Sequence, residues 1–122
     1  MQPDFQKRVR DWTKECFGDR IDLHHKTRQV QLLEEVIELL QSVNLSKEIV
    51  TQIVDLVYSK EKGDAFFEAG DVMISFAAFC TAHGLSMSEC GEIVLKNCIE
   101  KTEAIRKKQN HKPFHRKHTD EI

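Results

Sequence analysis

An all-α fold is the structure that this sequence predicts. Apolar residues recur at spacings of three and four along most of the 122 residues, and this is the periodicity of amphipathic helices. The chain has only two prolines and five glycines, so long stretches can stay helical without interruption. No stretch carries a strand signal. We therefore expect a helical bundle of about five helices, with a single domain over residues 1–108.

The first helix is expected over residues 4–17. Phe5, Val9 and Trp12 fall on one face at spacings of four and three, and Gly18 is a plausible stop. Trp12 is interpreted as the core anchor of this helix. Stacking on a nucleotide base is the alternative role for its indole ring.

Two further helices follow. A long helix is expected over residues 24–43, with an apolar stripe on one side and Asn44 at its end. A shorter helix is expected from an N-cap at Ser46 to about Ser59, because the hydroxyl of Ser46 can accept a hydrogen bond from the first turn.

The stretch over residues 64–84, DAFFEAGDVMISFAAFCTAHG, predicts a buried helix. Between Ala65 and His83 only Glu68 and Asp71 are firmly ionised at neutral pH. The remaining side chains are mainly apolar and cover nearly every direction of a helical wheel, which is typical of a core helix. Gly84 is expected to close it.

The last helix is expected to begin at Ser86, where SMSE has the form of a capping box, and to run to about Lys108. Residues 109–122 contain Pro113 and several basic side chains, and they predict a flexible basic tail. A solvated chain end is the ordinary interpretation of such a tail. An arm that contacts phosphate groups is the alternative.

Composition excludes several classes of protein. A net charge of −2 argues against a general nucleic-acid coat, so no specific nucleic-acid partner is expected. No apolar run reaches the ~20 residues of a membrane span, and the N-terminus is too polar for a secretory signal, so we expect a cytoplasmic protein without a membrane partner. The cysteines lack CxxC spacing and the histidines lack helical pairing, which disfavours a zinc site.

Two carboxylates on the predicted core helix need an explanation. Glu68 and Asp71 are three residues apart, so they occupy neighbouring positions on one face. Buried carboxylates that point the same way repel each other unless a cation lies between them. The alternative is a structural role, in which they cap a neighbouring helix or pair with Arg28 or Lys101.

A second acidic group lies on the long helix. Glu34, Glu35 and Glu38 lie on one side of it, and Glu35 and Glu38 repeat the spacing of three. A solvated face usually mixes charge signs to gain pairs at i,i+4, but this face is acidic only. An ordinary solvated face remains the alternative interpretation.

Together the two helices predict a cage of four carboxylates. Helix bundles build metal sites from side chains on facing helices, and oxygen ligands suit Mg²⁺, with Mn²⁺ as an alternative. Four oxygens leave coordination positions for water and a substrate phosphate. Such a site is suited to clamping a polyphosphate and activating water for attack at phosphorus.

The same residues carry a family resemblance. EVIE at Glu35 to Glu38, followed by EAGD at Glu68 to Asp71, resembles the E-x-x-E and E-x-x-D pattern of the MazG-like, all-α nucleoside triphosphate pyrophosphohydrolases. The segments LLEEVIELLQ and FFEAGDVMISFAAFC are also similar to small stand-alone members from bacteria and phages. The resemblance extends from about Phe5 to Lys108.

This resemblance implies a four-helix core and a Mg²⁺-dependent enzyme that cleaves (d)NTPs between the α and β phosphates, giving a monophosphate and pyrophosphate. It also implies a homodimer or homotetramer, with the site completed near a subunit interface. The residues that match the family's metal ligands are Glu35, Glu38, Glu68 and Asp71.

The resemblance also suggests three further site residues. Glu34 matches an additional acid that orients or deprotonates the attacking water. Asn97 and Lys101, one helical turn apart, match residues that face the substrate phosphates.

One departure and three alternatives accompany this hypothesis. The segment between Glu38 and Glu68 is longer than the family usually has and contains the extra helix over residues 46–59. The substrate could instead be a phosphoribosyl-linked nucleotide or an alarmone. A non-catalytic helical module, in which the acids are structural, is the alternative from another class. A DNA-binding helix-turn-helix is a weaker third option, because the helix after Ser46 is apolar.

Overall fold

The computed structural model describes residues 4–20 and 23–110, and the regular elements in those ranges are α-helices without any strand. The all-α prediction is therefore confirmed. The described ranges contain six helices, which are α1 (Phe5–Phe17), α2 (His25–Ser42), α3 (Lys47–Tyr58), α4 (Ala65–Ala82), α5 (Met87–Glu100) and α6 (Thr102–Asn110).

Side-chain caps begin three of these helices. The hydroxyl of Ser46 accepts a hydrogen bond from the amide of Ile49 at 3.3 Å, and the hydroxyl of Ser86 accepts one from Glu89 at 3.3 Å. Asp64 caps α4 by accepting from the amide of Phe66 at 3.1 Å. Each cap satisfies a backbone N–H that has no partner within its own helix. The predicted starts at Ser46 and Ser86 are confirmed.

Left-handed residues end two helices. Asn44 follows α2 with φ of 71°, and the amide of Leu45 donates to the carbonyl of Leu40 at 3.0 Å. Gly84 follows α4 with φ of 68°. Asn and Gly tolerate this conformation better than other residues, which explains why these positions stop their helices.

The prediction of one last helix from Ser86 to about Lys108 is wrong, because it breaks at Lys101 into α5 and α6. The hydroxyl of Thr102 lies 2.8 Å from the carbonyl of Ile99 and 3.3 Å from that of Cys98. A threonine hydroxyl that bonds to preceding carbonyls competes with the regular helical pattern. The indole Nε1 of Trp12 also donates to Thr102, at 3.4 Å.

The chain divides into two compact units, residues 1–31 with 85–122 (unit 1) and residues 32–84 (unit 2). In unit 1, α1, α5 and α6 pack pairwise against one another. Cys16 and Leu95 are its buried apolar residues. Arg106 of α6 donates to the carbonyls of Cys16 and Glu15 at 2.7 Å each, so it satisfies carbonyls at the end of α1 that have no helical partner.

In unit 2, α3 and α4 leave most of their apolar surface exposed. The prediction that α4 is a buried core helix is wrong, since Cys80 is its only buried residue. Phe66 is 80% exposed and Ile74 is 71% exposed. The pattern correctly identified an apolar helix, but no element of unit 2 covers it.

By length and composition α4 is also a candidate membrane span. Its 18 residues, Ala65–Ala82, have a mean hydropathy of 1.4. A core helix of a soluble assembly meets the same criterion.

The predicted flexible tail over residues 109–122 lies mostly outside the described residues. Helix α6 extends to Asn110, and the predicted tail beyond it lies outside the described residues. The single domain predicted over residues 1–108 stays a prediction.

Candidate functional site

The first acidic pair lies on the part of α2 that belongs to unit 2. Glu35 and Glu38 are both exposed, and their spacing of three places them on one side of the helix. Glu34 is half-buried beside them and has an interaction of its own. Both members of the pair are therefore accessible to a ligand from solvent.

The second acidic pair lies at the start of α4. Glu68 is in the first turn and Asp71 in the second, and both are exposed. The carboxylate of Glu68 lies against Gly63 in the preceding loop, where an added Cβ would collide with it. A carboxylate in the first turn of a helix interacts favourably with the helix dipole. The dipole of α4 therefore stabilises the negative charge of Glu68 at this position.

Large apolar side chains flank both pairs and are exposed with them. On α2 these are Leu32, Leu33, Val36 and Ile37. On α4 they are Phe66, Phe67, Val72, Met73, Ile74 and Phe76. On an ordinary solvated acidic face, the side chains next to the acids are polar, whereas here many of them are large and apolar. The acids therefore lie within surfaces that are suited to burial against another element.

The structural alternative for the α4 pair finds no support in the described ion pairs. These pairs involve Arg8, Arg10 and Arg106, and none of them reaches Glu68 or Asp71. The suggested pairing of these acids with Arg28 or Lys101 stays a prediction.

A single chain does not bring the four acids together. Within residues 4–20 and 23–110, no group of three or more His, Cys, Asp or Glu side chains is close enough to hold a metal ion. The oxygen donors suit Mg²⁺ in kind. In one copy of the chain, however, they do not form the four-carboxylate cage, and the metal-ligand assignments of Glu35, Glu38, Glu68 and Asp71 stay predictions.

The two residues predicted to contact phosphate lie in unit 1. Asn97 is exposed on α5, and Lys101 follows the last residue of that helix. The amide of Lys101 donates to the carbonyl of Asn97 at 3.1 Å, which fixes their separation at one helical turn. Their role in binding phosphate stays a prediction.

An ion pair and a groove between α1 and α5 were not predicted. The guanidinium of Arg8 donates two hydrogen bonds to the Glu92 carboxylate, at 2.7 and 2.6 Å. These bonds lower the pKa of Glu92, because they favour its charged form. Beside the pair is an open groove of about 630 Å³ that includes Trp12 and Ile99. Sequence spacing gives no signal for a pair between residues 84 positions apart.

Four unpartnered polar atoms, on the first half of α2 and on the residue before it, were also missed. Thr27 is only 3% exposed, and its hydroxyl has no hydrogen-bond partner. The same holds for His24 Nδ1, Arg28 Nε and Gln31 Oε1. Burial lowers the pKa of Arg28, and its guanidinium lies 5.9 Å from the ring centroid of Phe17. Thr27, Arg28 and Gln31 follow His24 by three, four and seven residues, and helical periodicity places such positions on one face. This spacing was the signal in the sequence that could have indicated the group.

No protein family, curated protein or solved structure matches this chain. The resemblance carried by EVIE and EAGD therefore stays a prediction.

Proposed function

We propose that this chain is a Mg²⁺-dependent nucleotide pyrophosphohydrolase, which cleaves (d)NTPs between the α and β phosphates to give a monophosphate and pyrophosphate. The observation that carries the proposal is the pair of exposed i,i+3 carboxylate sets, Glu35 with Glu38 and Glu68 with Asp71. Both sets lie in unit 2, and both are surrounded by apolar side chains.

The chemistry of the donors supports this choice of reaction. Carboxylate oxygens are the ligands that Mg²⁺ prefers, and Mg²⁺ is commonly bound through a few carboxylates together with substrate phosphates. When bound, the ion would neutralise charge on the polyphosphate. Glu34 is the proposed residue that orients or deprotonates the attacking water, and Asn97 and Lys101 are the proposed phosphate contacts. Because one chain does not gather the four acids, the active form would be an oligomer.

A non-catalytic binding module is the second candidate, and a specific observation favours it. Helices α3 and α4 expose many large apolar residues, and extended apolar patches mark interaction surfaces. In that case the acids would be structural, and divalent cations would leave the stability of the protein unchanged.

The deciding experiment incubates the purified protein with the common NTPs and dNTPs, with and without Mg²⁺, and detects pyrophosphate separately from orthophosphate. We expect pyrophosphate only when the metal is present. Orthophosphate alone would contradict the proposed cleavage position. No release of either product from any nucleotide would favour the non-catalytic module.

Asp71→Asn is the matching variant, with Asp55→Asn on α3 as its control, since both positions are exposed. We expect Asp71→Asn to lower kcat/KM by roughly a hundredfold or more, because even outer-shell partners of metal ligands are worth 10- to 100-fold. Asp55→Asn should retain activity. Full Mg²⁺-dependent activity in Asp71→Asn would remove this residue from the site.

A further inference from the structure

The groove between α1 and α5 is lined largely by apolar side chains. Its volume is about 630 Å³, within the ~300–1,000 Å³ that is usual for binding sites. Leu95, which is buried, and Trp12, which is half-buried, line it together with Ile93 and Ile99, which are 59% and 51% exposed. Both helices belong to unit 1, so the groove lies within one compact unit. Contact with another apolar side chain would remove these isoleucines from water.

The α1 side of the groove is acidic. Asp11 and Glu15 line it, and both are exposed. Their spacing of four makes them neighbours on one face, where like charges repel. Arg10 lies 3.6 Å from the carboxylate of Asp11, whereas none of the described ion pairs involves Glu15. We refer to Asp11 and Glu15 as the acidic wall.

The other charged side chains of the groove offset one another. The guanidinium of Arg8 is bonded to the carboxylate of Glu92 and lies 3.3 Å from that of Asp4. Lys96 and Glu100 have opposite charges and lie one turn apart on α5. The acidic wall therefore gives the groove its net charge, and the complementary ligand is a cation attached to an apolar group.

The sequence that follows α6 has this chemistry. Residues 111–118, HKPFHRKH, lie outside the described residues, and they contain three firmly charged cations and no acid. Phe114 is the one large apolar side chain among them. A single aromatic anchor with cations around it suits an apolar groove that has an acidic wall. The proposed function gives this segment no role.

Helix α6 brings the segment close to the groove. The guanidinium of Arg106 donates to the carbonyl of Glu15 at 2.7 Å, so α6 passes the end of the groove at Glu15. Asn110 follows four residues later, about 6 Å farther along the helix. Phe114 is four residues beyond Asn110, and an extended chain of that length spans up to ~13 Å. The segment is therefore long enough to return past Glu15 toward Trp12.

We propose that residues 111–118 bind in the groove of their own chain. Phe114 packs against Trp12, and the cations of the segment lie beside the acidic wall. A short covalent connection gives an effective concentration on the order of millimolar, so one aromatic contact and a few exposed ion pairs are sufficient for binding. A separate basic peptide lacks this advantage. The inference does not depend on the proposed function.

The first test is carbodiimide cross-linking of the full chain, which joins a lysine to a carboxylate that contacts it. We expect bonds from Lys112 or Lys117 to the acidic wall, identified by mass spectrometry. They should occur in the 14.2 kDa band of a denaturing gel, because both groups belong to one chain. Lys7 with Asp11, one turn apart on α1, is the control for reagent access. Salt at about 1 M, where the Debye length is ~3 Å, should weaken the cross-links from the segment.

The second test uses the fluorescence of Trp12, which is the single tryptophan of the chain. We expect Phe114→Ala to lower the bound population of the segment by roughly tenfold or more, as loss of a central aromatic anchor does. Quenching of Trp12 by acrylamide should therefore increase. Ile122→Ala is the matched control, since it removes an apolar side chain outside residues 111–118 and should leave the quenching unchanged.

A charge exchange tests the contact with the acidic wall. Lys112→Glu with Lys117→Glu should increase the quenching of Trp12, because like charges then face each other. Adding Asp11→Lys and Glu15→Lys to the same chain should restore the wild-type quenching. Circular dichroism verifies α1 in the combined variant, whose two changes on that helix are at exposed positions.

Three results would overturn the inference. Quenching that is unchanged in Phe114→Ala would remove this side chain from the groove. Cross-links from the segment to the acidic wall that occur only in a covalent dimer would show that the groove takes the segment of another copy. Absence of such cross-links, while the Lys7 control forms, would show that the segment does not bind at the wall.

Discussion

Thr27 has a buried hydroxyl without a hydrogen-bond partner, and the cost of such a group in folding stability can be measured. Its side chain is 3% exposed, and its oxygen has no hydrogen bond. Burying an unpaired hydroxyl costs about 1–3 kcal/mol. The other unpartnered atoms on the same face of α2 make this the least satisfied polar region among the described residues.

We expect Thr27→Val to raise the free energy of unfolding by about 1 kcal/mol, because it removes the unpaired hydroxyl and preserves the shape of the side chain. Thr81→Val is the control, since the hydroxyl of Thr81 is exposed and donates to the carbonyl of Ala77 at 3.2 Å. Urea denaturation of both variants provides the comparison. A clear loss of stability in Thr27→Val would mean that the hydroxyl is hydrogen-bonded in solution.

The ion pair between Arg8 and Glu92 gives unit 1 a pH dependence. The pKa of Glu92 is lowered, first by its hydrogen bonds to Arg8. A carboxyl whose folded pKa is lowered stabilises the protein above its unfolded pKa, and this contribution is lost as the pH falls through the folded pKa.

Glu92→Gln should therefore lower the Tm at pH 7, and the difference from the wild type should shrink as the pH falls below about 4.5, the ordinary pKa of the carboxyl. Glu100→Gln on the same helix is the control, since no described ion pair involves it. Melting curves at several pH values measure the effect. A Tm difference that persists unchanged at pH 3 would contradict the role of the charge.

Single residues also show how far the sequence could predict the helices. Ser46, Ser86, Asn44 and Gly84 act through local hydrogen bonds or backbone conformation, so their positions in the sequence were sufficient. The break at Lys101 was missed because it involves the hydroxyl of Thr102, which also contacts Trp12, 90 residues away. Contacts at such separations leave no trace in periodicity.

At the scale of helices, the N-cap of α5 is the contact whose contribution to the free energy of unfolding can be predicted most directly. The hydroxyl of Ser86 accepts from the amide of Glu89, and α5 packs against both α1 and α6. Fraying of α5 would therefore weaken the packing of unit 1.

We expect Ser86→Ala to destabilise the protein by about 1 kcal/mol, the usual cost of losing a serine cap. Ser88→Ala, two residues later and exposed, is the control and should change stability by less than about 0.5 kcal/mol. Chemical denaturation measures both. Equal effects of the two substitutions would show that the cap contributes nothing.

Helix α4 shows what periodicity cannot predict. Its apolar side chains in every direction correctly indicated a helix that needs to be buried. Periodicity does not specify which element does the covering, and in the described part of one chain α4 remains exposed. The acids were correctly placed on two helices. Within the described residues no group of three or more such side chains is close enough to hold a metal ion, and the four-carboxylate cage stays a prediction.

At the scale of the whole molecule, the two units differ in how far their own helices bury their apolar side chains. Unit 1 has three helices that pack together, with ion pairs and hydrogen bonds between them. Unit 2 has apolar helices with Cys80 as the buried residue of α4. We infer that self-association completes unit 2. Under the proposed function, metal binding and turnover would depend on it.

Sedimentation velocity of the purified protein in detergent-free buffer, from about 0.1 to 100 μM, tests the dependence on self-association most directly. We predict a dimer across the micromolar range, because burying on the order of 1,000 Å² of apolar surface per chain is ample for stable association. A monodisperse 14.2 kDa species at the highest concentration would contradict the account. It would mean that unit 2 is stable with its apolar surface uncovered.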